Sequence, residues 1–205
     1  MSEESSGHIK CTKKQNLKEL QTASGRRHMY AGRPRQKVAI DLVGPMPETR
    51  AGNRWILVIM DHFTRWQDAI PLPDATAPVV AAALDQRVFC YLGLPEQLQS
   101  DQGAQFESLL MEEFCALWRI DKTHTTLYHP QSNGVVERSN RNLGDSLRTL
   151  LLRRGQEEWD LLLPQIMRAF RGTPHSVTGE TANLMMMGRE LRLPDQLQLY
   201  PHLWK

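Results

Sequence analysis

Val38-Ala39-Ile40-Asp41-Leu42-Val43 is an apolar run of strand length, broken by a single acid and stopped by Gly44-Pro45. A second run, Trp55-Ile56-Leu57-Val58-Ile59-Met60, stops at Asp61, and the residues between the two include Pro47, Gly52 and Asn53, which predicts a hairpin. Continuous rather than alternating hydrophobicity is what strands covered on both faces require. A third strand is expected near residues 66–72. Beyond it the period changes: Val79, Val80, Ala83, Leu84, Val88 and Tyr91 recur at helical spacing over residues 78–91, ended by Gly93 and Pro95. A short strand at 98–100 then delivers Asp101. A helix is expected over 108–118 with Leu109, Leu110, Phe114 and Leu117 as its apolar face, followed by a Thr-rich strand at 122–127 and a loop at 128–134. Further helices are predicted over 135–153 and 159–170. This succession predicts an α/β fold with a mixed sheet.

The 205 residues are 40% hydrophobic and 23% charged, enough for one substantial core and inconsistent with wholesale disorder. No apolar run approaches the roughly 20 residues of a bilayer span, and the Ser/Glu/Lys-rich beginning is unlike a secretory signal, so no membrane partner is expected. Cys11, Cys90 and Cys115 are an odd set without paired spacing and suit a reducing compartment. The net charge of +2 hides an asymmetry. Residues 1–36 hold eight Lys/Arg against three acids, a net +5, leaving 17 bases against 20 acids beyond them. This basic segment reads as a flexible arm seeking phosphate or serving nuclear import, joined to a mildly acidic body.

Most acids here suit exposed helix faces or first turns. Asp41 does not, because an ionised carboxylate within a buried strand is costly unless paired or metal-bound. Asp101 falls at the C-terminal end of a strand, where α/β sheets present ligand-binding groups. Glu137 falls in the first turn of the expected long helix. Three hard oxygen donors from two strands and a helix could hold Mg²⁺ or Mn²⁺, and two such ions could serve in-line phosphoryl displacement.

Several motifs then carry a family resemblance. Asp41-Leu42-Val43-Gly44-Pro45, Asp61-His62-Phe63-Thr64-Arg65-Trp66, Ser100-Asp101-Gln102-Gly103-Ala104-Gln105-Phe106 and Tyr128-His129-Pro130-Gln131-Ser132-Asn133-Gly134-Val135-Val136-Glu137-Arg138 resemble the integrase core of retroviruses and, more closely, of Ty3/Gypsy-type retrotransposons. Asp101 and Glu137 are separated by 35 residues, as in that family's D,D(35)E signature, and Gly188-Arg189-Glu190-Leu191-Arg192-Leu193-Pro194 resembles the segment after the core. The likeness runs from about residue 36 to 194.

The resemblance implies an RNase H-like fold, a five-stranded mixed sheet with helices on both faces, occupying residues 37–172 between the arm and a C-terminal extension at 173–205. It implies that Asp41, Asp101 and Glu137 are catalytic and bind two Mg²⁺ or Mn²⁺ ions. The activity implied is DNA 3′-end processing and strand transfer, in the nucleus, by a homodimer or higher multimer. Helical geometry sets Arg141 and Arg148 beside Glu137, with Asn140 nearby, where they could grip DNA phosphates; Gln131, Ser132 and Asn133 match a DNA-contacting loop of the family. Asp61 is expected to be a strand-end or turn residue, and Trp55, Trp66 and Trp118 to serve the core or an interface rather than base stacking. His8 and Cys11 do not complete the family's zinc module, so no zinc is expected, and the chain reads as a core without its flanking modules. The competing expectations are a domesticated nucleic-acid-binding or interaction module without turnover, and an RNase H-type nuclease acting on RNA–DNA hybrids.

Overall fold

The computed structural model describes residues 31–124, 130–152 and 155–192, with side chains described from Val136 onward in the segment that starts at Pro130. Five strands form one sheet in the order β3-β2-β1-β4-β5: β1 (Lys37–Val43), β2 (Trp55–Asp61), β3 (Gln67–Leu72), β4 (Gln97–Ser100) and β5 (Asp121–His124). β1, β2 and β3 are antiparallel neighbours, while β1–β4 and β4–β5 are parallel. The expected five-stranded mixed sheet is therefore present. The β1–β2 hairpin closes where Gly52 takes φ +79° and donates to the Thr49 carbonyl at 2.9 Å, a conformation that suits glycine.

Helices cover both faces. On one, Val38, Ile40, Leu57, Ile59, Ile70 and Leu98 pack against α1 (Ala77–Leu84), its continuation through a π-helical segment (Asp85–Phe89) and a last turn (Cys90–Leu92), and α2 (Leu109–Leu117). On the other, Ile56, Val58 and Ala69 meet Leu143 and Leu147 of α3 (Pro130–Leu151) and Trp159, Leu162, Leu163 and Ile166 of α4 (Trp159–Gly172). Two-sided burial explains the unbroken apolar character of β2, whose Ile56 to Met60 are all at most 2% exposed. Each such side chain contributes about 1.5–3 kcal/mol by leaving water. A short α5 (Ala182–Met187), N-capped by the Thr181 hydroxyl, follows α4. Among the described residues no helix is long and apolar enough to cross a membrane.

Two expectations are corrected. The apolar face of α2 is Met111 and Cys115, at 1% and 2% exposure, whereas Leu109 and Leu117 point outward at 69% and 74% and Leu110 is exposed. Buried Phe106 before the helix and buried Ile120 after it anchor both ends and thereby set the rotation of the helix about its axis. Phe114 lies between these faces, stacked on Phe89 with centroids 6.0 Å apart. Second, α3 starts at Pro130, so residues 130–134, expected as loop, are helical. Proline is well tolerated in a helix's first turn, because the missing N–H has no intrahelical acceptor there.

Of the basic arm, residues 1–30 lie outside the described residues. Its last part is hydrogen-bonded into the body: the carbonyls of Arg35 and Gln36 accept from the backbone N–H groups of Glu96 and Gln97 at 3.0 Å, and the Arg33 guanidinium meets the Glu96 carboxylate at 2.6 Å. The segment 193–205 and the zinc-related residues His8 and Cys11 also lie outside the described residues.

Candidate active site

β1 and β4 run parallel with Lys37 beside Gln97, Val38 beside Leu98 and Ala39 beside Gln99, a constant offset of 60 residues. Extending that ladder by two residues sets Asp101 next to Asp41, and the two-residue alternation of a strand sends both side chains to the same face. That is the face covered by α3, which carries Glu137.

The Asp41 carboxylate is half-buried. Its Oδ1 accepts from the Leu42 backbone N–H at 2.8 Å and its Oδ2 from the Asn140 side-chain amide at 2.5 Å. Its pKa is raised above the ordinary carboxylate value, first by burial and then by the negative charges of Asp101 and Glu137, with the Leu42 N–H and the Asn140 amide opposing. The negative charges of Asp101 and Glu137 are thus felt at Asp41. Asp101 is exposed, and its Oδ1 accepts from the Gly103 N–H at 3.0 Å, closing a tight turn. A Cβ added at Gly103 would stand 3.0 Å from Asp101 Oδ1 and 2.4 Å from Gln105 Nε2, the far end of a flexible side chain that can move aside. Glu137 is exposed on α3.

Among the described residues no group of three or more His, Cys, Asp or Glu side chains is gathered tightly enough to hold a metal ion. The donor chemistry nevertheless fits a divalent cation. Three hard oxygen donors whose like charges oppose the ionisation of Asp41 are what such an ion would neutralise. Among the described residues Asn140 Oδ1, beside Asp41, is buried without a hydrogen-bond partner, an acceptor for a water at the site.

The other singled-out residues divide. Arg141 and Arg148 are exposed on the flank of α3 that carries Glu137, and Arg148 is paired with Asp145 at 3.0 Å, a surface pair of little energetic weight. Asn140 turns its amide to Asp41. Gln131, Ser132 and Asn133 are in the first turns of α3, and their side chains lie outside the described residues. Asp61, 1% exposed, is the last residue of β2 and braces the turn that follows: its carboxylate accepts from the backbone N–H groups of Arg35, Phe63 and Thr64 and from the Thr64 hydroxyl, at 2.7 to 3.1 Å. Trp66 is buried under the Arg171 guanidinium, 4.2 Å from its ring centroid, while Trp118 is 39% exposed.

One cluster escaped the sequence reading. Glu107 Oε1 meets Lys122 Nζ at 3.0 Å and His124 Nδ1 at 3.1 Å, tying the loop after Asp101 to β5. Its only sequence signal was an acid just beyond the Asp101 motif and two bases on the next strand.

Residues 31–130 match the family described as the integrase core domain. The chain is 38% identical over 129 residues to the Gag-Pol polyprotein of feline leukemia virus, covering 62% of the chain and 8% of the polyprotein. It is 27% identical over 158 residues to the retrovirus-related Pol polyprotein from transposon 412 of Drosophila melanogaster, covering 77% of the chain and 13% of that protein. The chain spans well under a quarter of the length of these curated relatives. Among solved structures, it is similar to the catalytic core domain of BIV integrase, with a TM-score of 0.61 and 25% identity over 75% of this chain and 94% of that one. It is also similar to the HTLV-2 integrase catalytic core domain in complex with magnesium, solved in trimeric and dimeric forms, each with a TM-score of 0.60, covering 75% of this chain and 97% of that one at 19% and 20% identity.

Proposed function

Because the chain carries an integrase core domain of the retroviral and retrotransposon type, we propose that it is a divalent-metal-dependent polynucleotidyl transferase that processes DNA 3′ ends and joins them to target DNA. The observation that carries this reading is the electrostatic union of Asp41 with Asp101 and Glu137 on one face of the sheet. These three residues would hold Mg²⁺ or Mn²⁺, two ions in the fullest form. Bound there, such ions would supply activation of an attacking oxygen and stabilisation of a leaving one. Magnesium in the HTLV-2 core domain supports the choice of ion.

The chain's own residues do the rest. Asn140 orients the Asp41 carboxylate, and Asp101 is oriented by the Gly103 N–H. Arg141 and Arg148, on the flank that carries Glu137, meet DNA phosphates and position the backbone without reading its sequence. Derivation from a Gypsy-type retrotransposon, assembly as a homodimer or higher multimer, and nuclear residence belong to the same proposal. The likeness to transposon 412 supports the first, and the dimeric and trimeric HTLV-2 cores support the second. Residence is tested by imaging the tagged chain with and without residues 1–36; cytoplasmic signal from the intact chain would exclude it.

The test of activity is Mn²⁺-dependent disintegration of a branched DNA substrate by the wild type against Asp101→Asn. Wild-type product above the variant's level is expected; equal levels overturn the enzymatic reading. A second reading, a DNA-binding module without turnover, is favoured by one observation: both Asp41 oxygens are engaged by donors of the chain itself. Metal-independent, salt-dependent binding to random DNA with no cleavage would select it.

A further inference from the structure

α3 has a second polar flank, turned away from the carboxylates. Ser139, buried against the sheet, donates to Gln67 Oε1 of β3 at 2.5 Å, which ties the turn between β2 and β3 to the helix. Arg138, one residue earlier, is exposed. In that turn the His62 N–H donates to the Lys37 carbonyl at 3.0 Å and the Arg65 N–H to the Asp61 carbonyl at 3.0 Å, so the first residue of β1 stands beside the turn. His175, following α4, lies within the fields of Arg65 and Arg138. Five basic side chains from four parts of the chain are therefore neighbours.

They are held together against their chemistry. Burial depresses the pKa values of Lys37 and Arg65; burial and then the charges of Lys37 and Arg65 depress that of His62; burial and then Arg65 and Arg138 depress that of His175. Among the described residues Asp61 is the acid that offsets Arg65, and its carboxylate already accepts from four donors. Among the described residues Arg65 Nε is buried without a hydrogen-bond partner, while His62 has the Gln99 side chain beside it. Lysine and arginine side chains set beside two histidines whose protonation burial and these charges oppose are what an anionic ligand would stabilise.

We propose that Lys37, Arg65, Arg138 and His175 form a second binding surface for the phosphodiester backbone of duplex DNA, on the flank of α3 opposite the carboxylates. The inference rests on the reading of the chain as a DNA-handling core. A run of phosphates, rather than one compact anion, fits because the basic groups are strung over β1, the β2–β3 turn, α3 and the segment after α4 instead of converging on one point. The surface carries no sequence information of its own and would hold a duplex along α3.

The test is fluorescence anisotropy of the full chain on a random-sequence duplex across a salt series, wild type against Arg138→Gln and Lys37→Gln/Arg138→Gln. Each lost phosphate contact lowers the slope of log K against log[salt] by about 0.9, so the double variant is expected to lose roughly two units. Arg138 is exposed, so the single variant keeps the fold, and thermal midpoints verify this for both. Unchanged slopes at an unchanged midpoint overturn the proposal while leaving the carboxylate reading intact. Wild type without any salt-dependent binding overturns both. If inorganic phosphate stabilises wild type but not the double variant, while duplex binding is equal in the two, the surface is a single-anion site and the proposal fails.

Discussion

Asp41 and Asp61 sit on adjacent antiparallel strands of one sheet, each inside a recognisable motif, and their surroundings are opposite. Asp61 is sealed, with its lone pairs filled by three backbone N–H groups and a hydroxyl from its own turn. Asp41 accepts from one backbone N–H and one amide and faces two more acids. A buried carboxylate saturated by local donors is a structural brace. One left short of donors and crowded by like charge is poised to take a cation. Motif membership alone does not separate the two; the census of donors does.

The sharpest way to break this contrast is to neutralise each acid. Asp41→Asn is expected to abolish metal-dependent DNA cleavage down to the assay background, yet leave the thermal midpoint at neutral pH unchanged or raised. The reason is the sign of the shift: a carboxyl whose folded pKa is raised favours the folded state below its ordinary pKa, and that contribution is lost as pH climbs through the raised value. The variant removes a penalty present at neutral pH, and the Asn140 amide can rotate so that its orphaned oxygen accepts from the new side chain. Asp61→Asn has the reverse profile. It places an N–H₂ group against a donor and is expected to cost about 2–3 kcal/mol by urea denaturation. A large stability loss in Asp41→Asn, or none in Asp61→Asn, would dissolve the distinction.

The neighbour of Asp61 gives a pH test. Burial first, then the charges of Lys37 and Arg65, push His62 down to about 4 from its ordinary 6.5, so the imidazole is neutral in the fold. Stability from this group is complete above pH 6.5 and is lost as pH falls from there toward 4, a difference of roughly 3 kcal/mol. His62→Gln should flatten this part of the stability profile in denaturation at stepped pH. Smaller effects are expected where support is indirect. Asn140→Ala should lower activity or metal affinity about 10- to 100-fold, the range for partners that orient ligating carboxylates, with little change in midpoint. Gly103→Ala, which crowds Asp101, should raise the metal concentration needed for half-maximal activity without altering the salt dependence of DNA binding.

Much of this arrangement was legible in the chain. The apolar runs of β1 and β2 announce two-sided burial, and an acid within such a run announces a cost that needs a reason. The ladder offset that joins Asp41 to Asp101 was not legible, because it depends on how β4 docks beside β1. Periodicity showed that α2 had apolar residues at helical spacing but not which of them faced inward. Leu109 and Leu117 are more hydrophobic than Cys115, yet the anchors Phe106 and Ile120 decide the rotation. The string Pro130-Gln131-Ser132-Asn133-Gly134 has turn chemistry throughout, and nothing local reveals that it continues a helix. The Asn140 bond to Asp41 and the approach of Lys37 to His62 join residues far apart in sequence, beyond the reach of any spacing rule.

The 60-residue ladder offset also says where the chain can change length. Asp41 stands beside Asp101 because of strand register, so residues added to the hairpin after β1 or to the helical crossover before β4 leave the pair untouched, at a cost that grows only with the logarithm of loop length. A single insertion within β1 between Lys37 and Asp41 would instead turn the carboxylate through the sheet to the opposite core. Length changes in these two connections are therefore expected to spare the first half of the site.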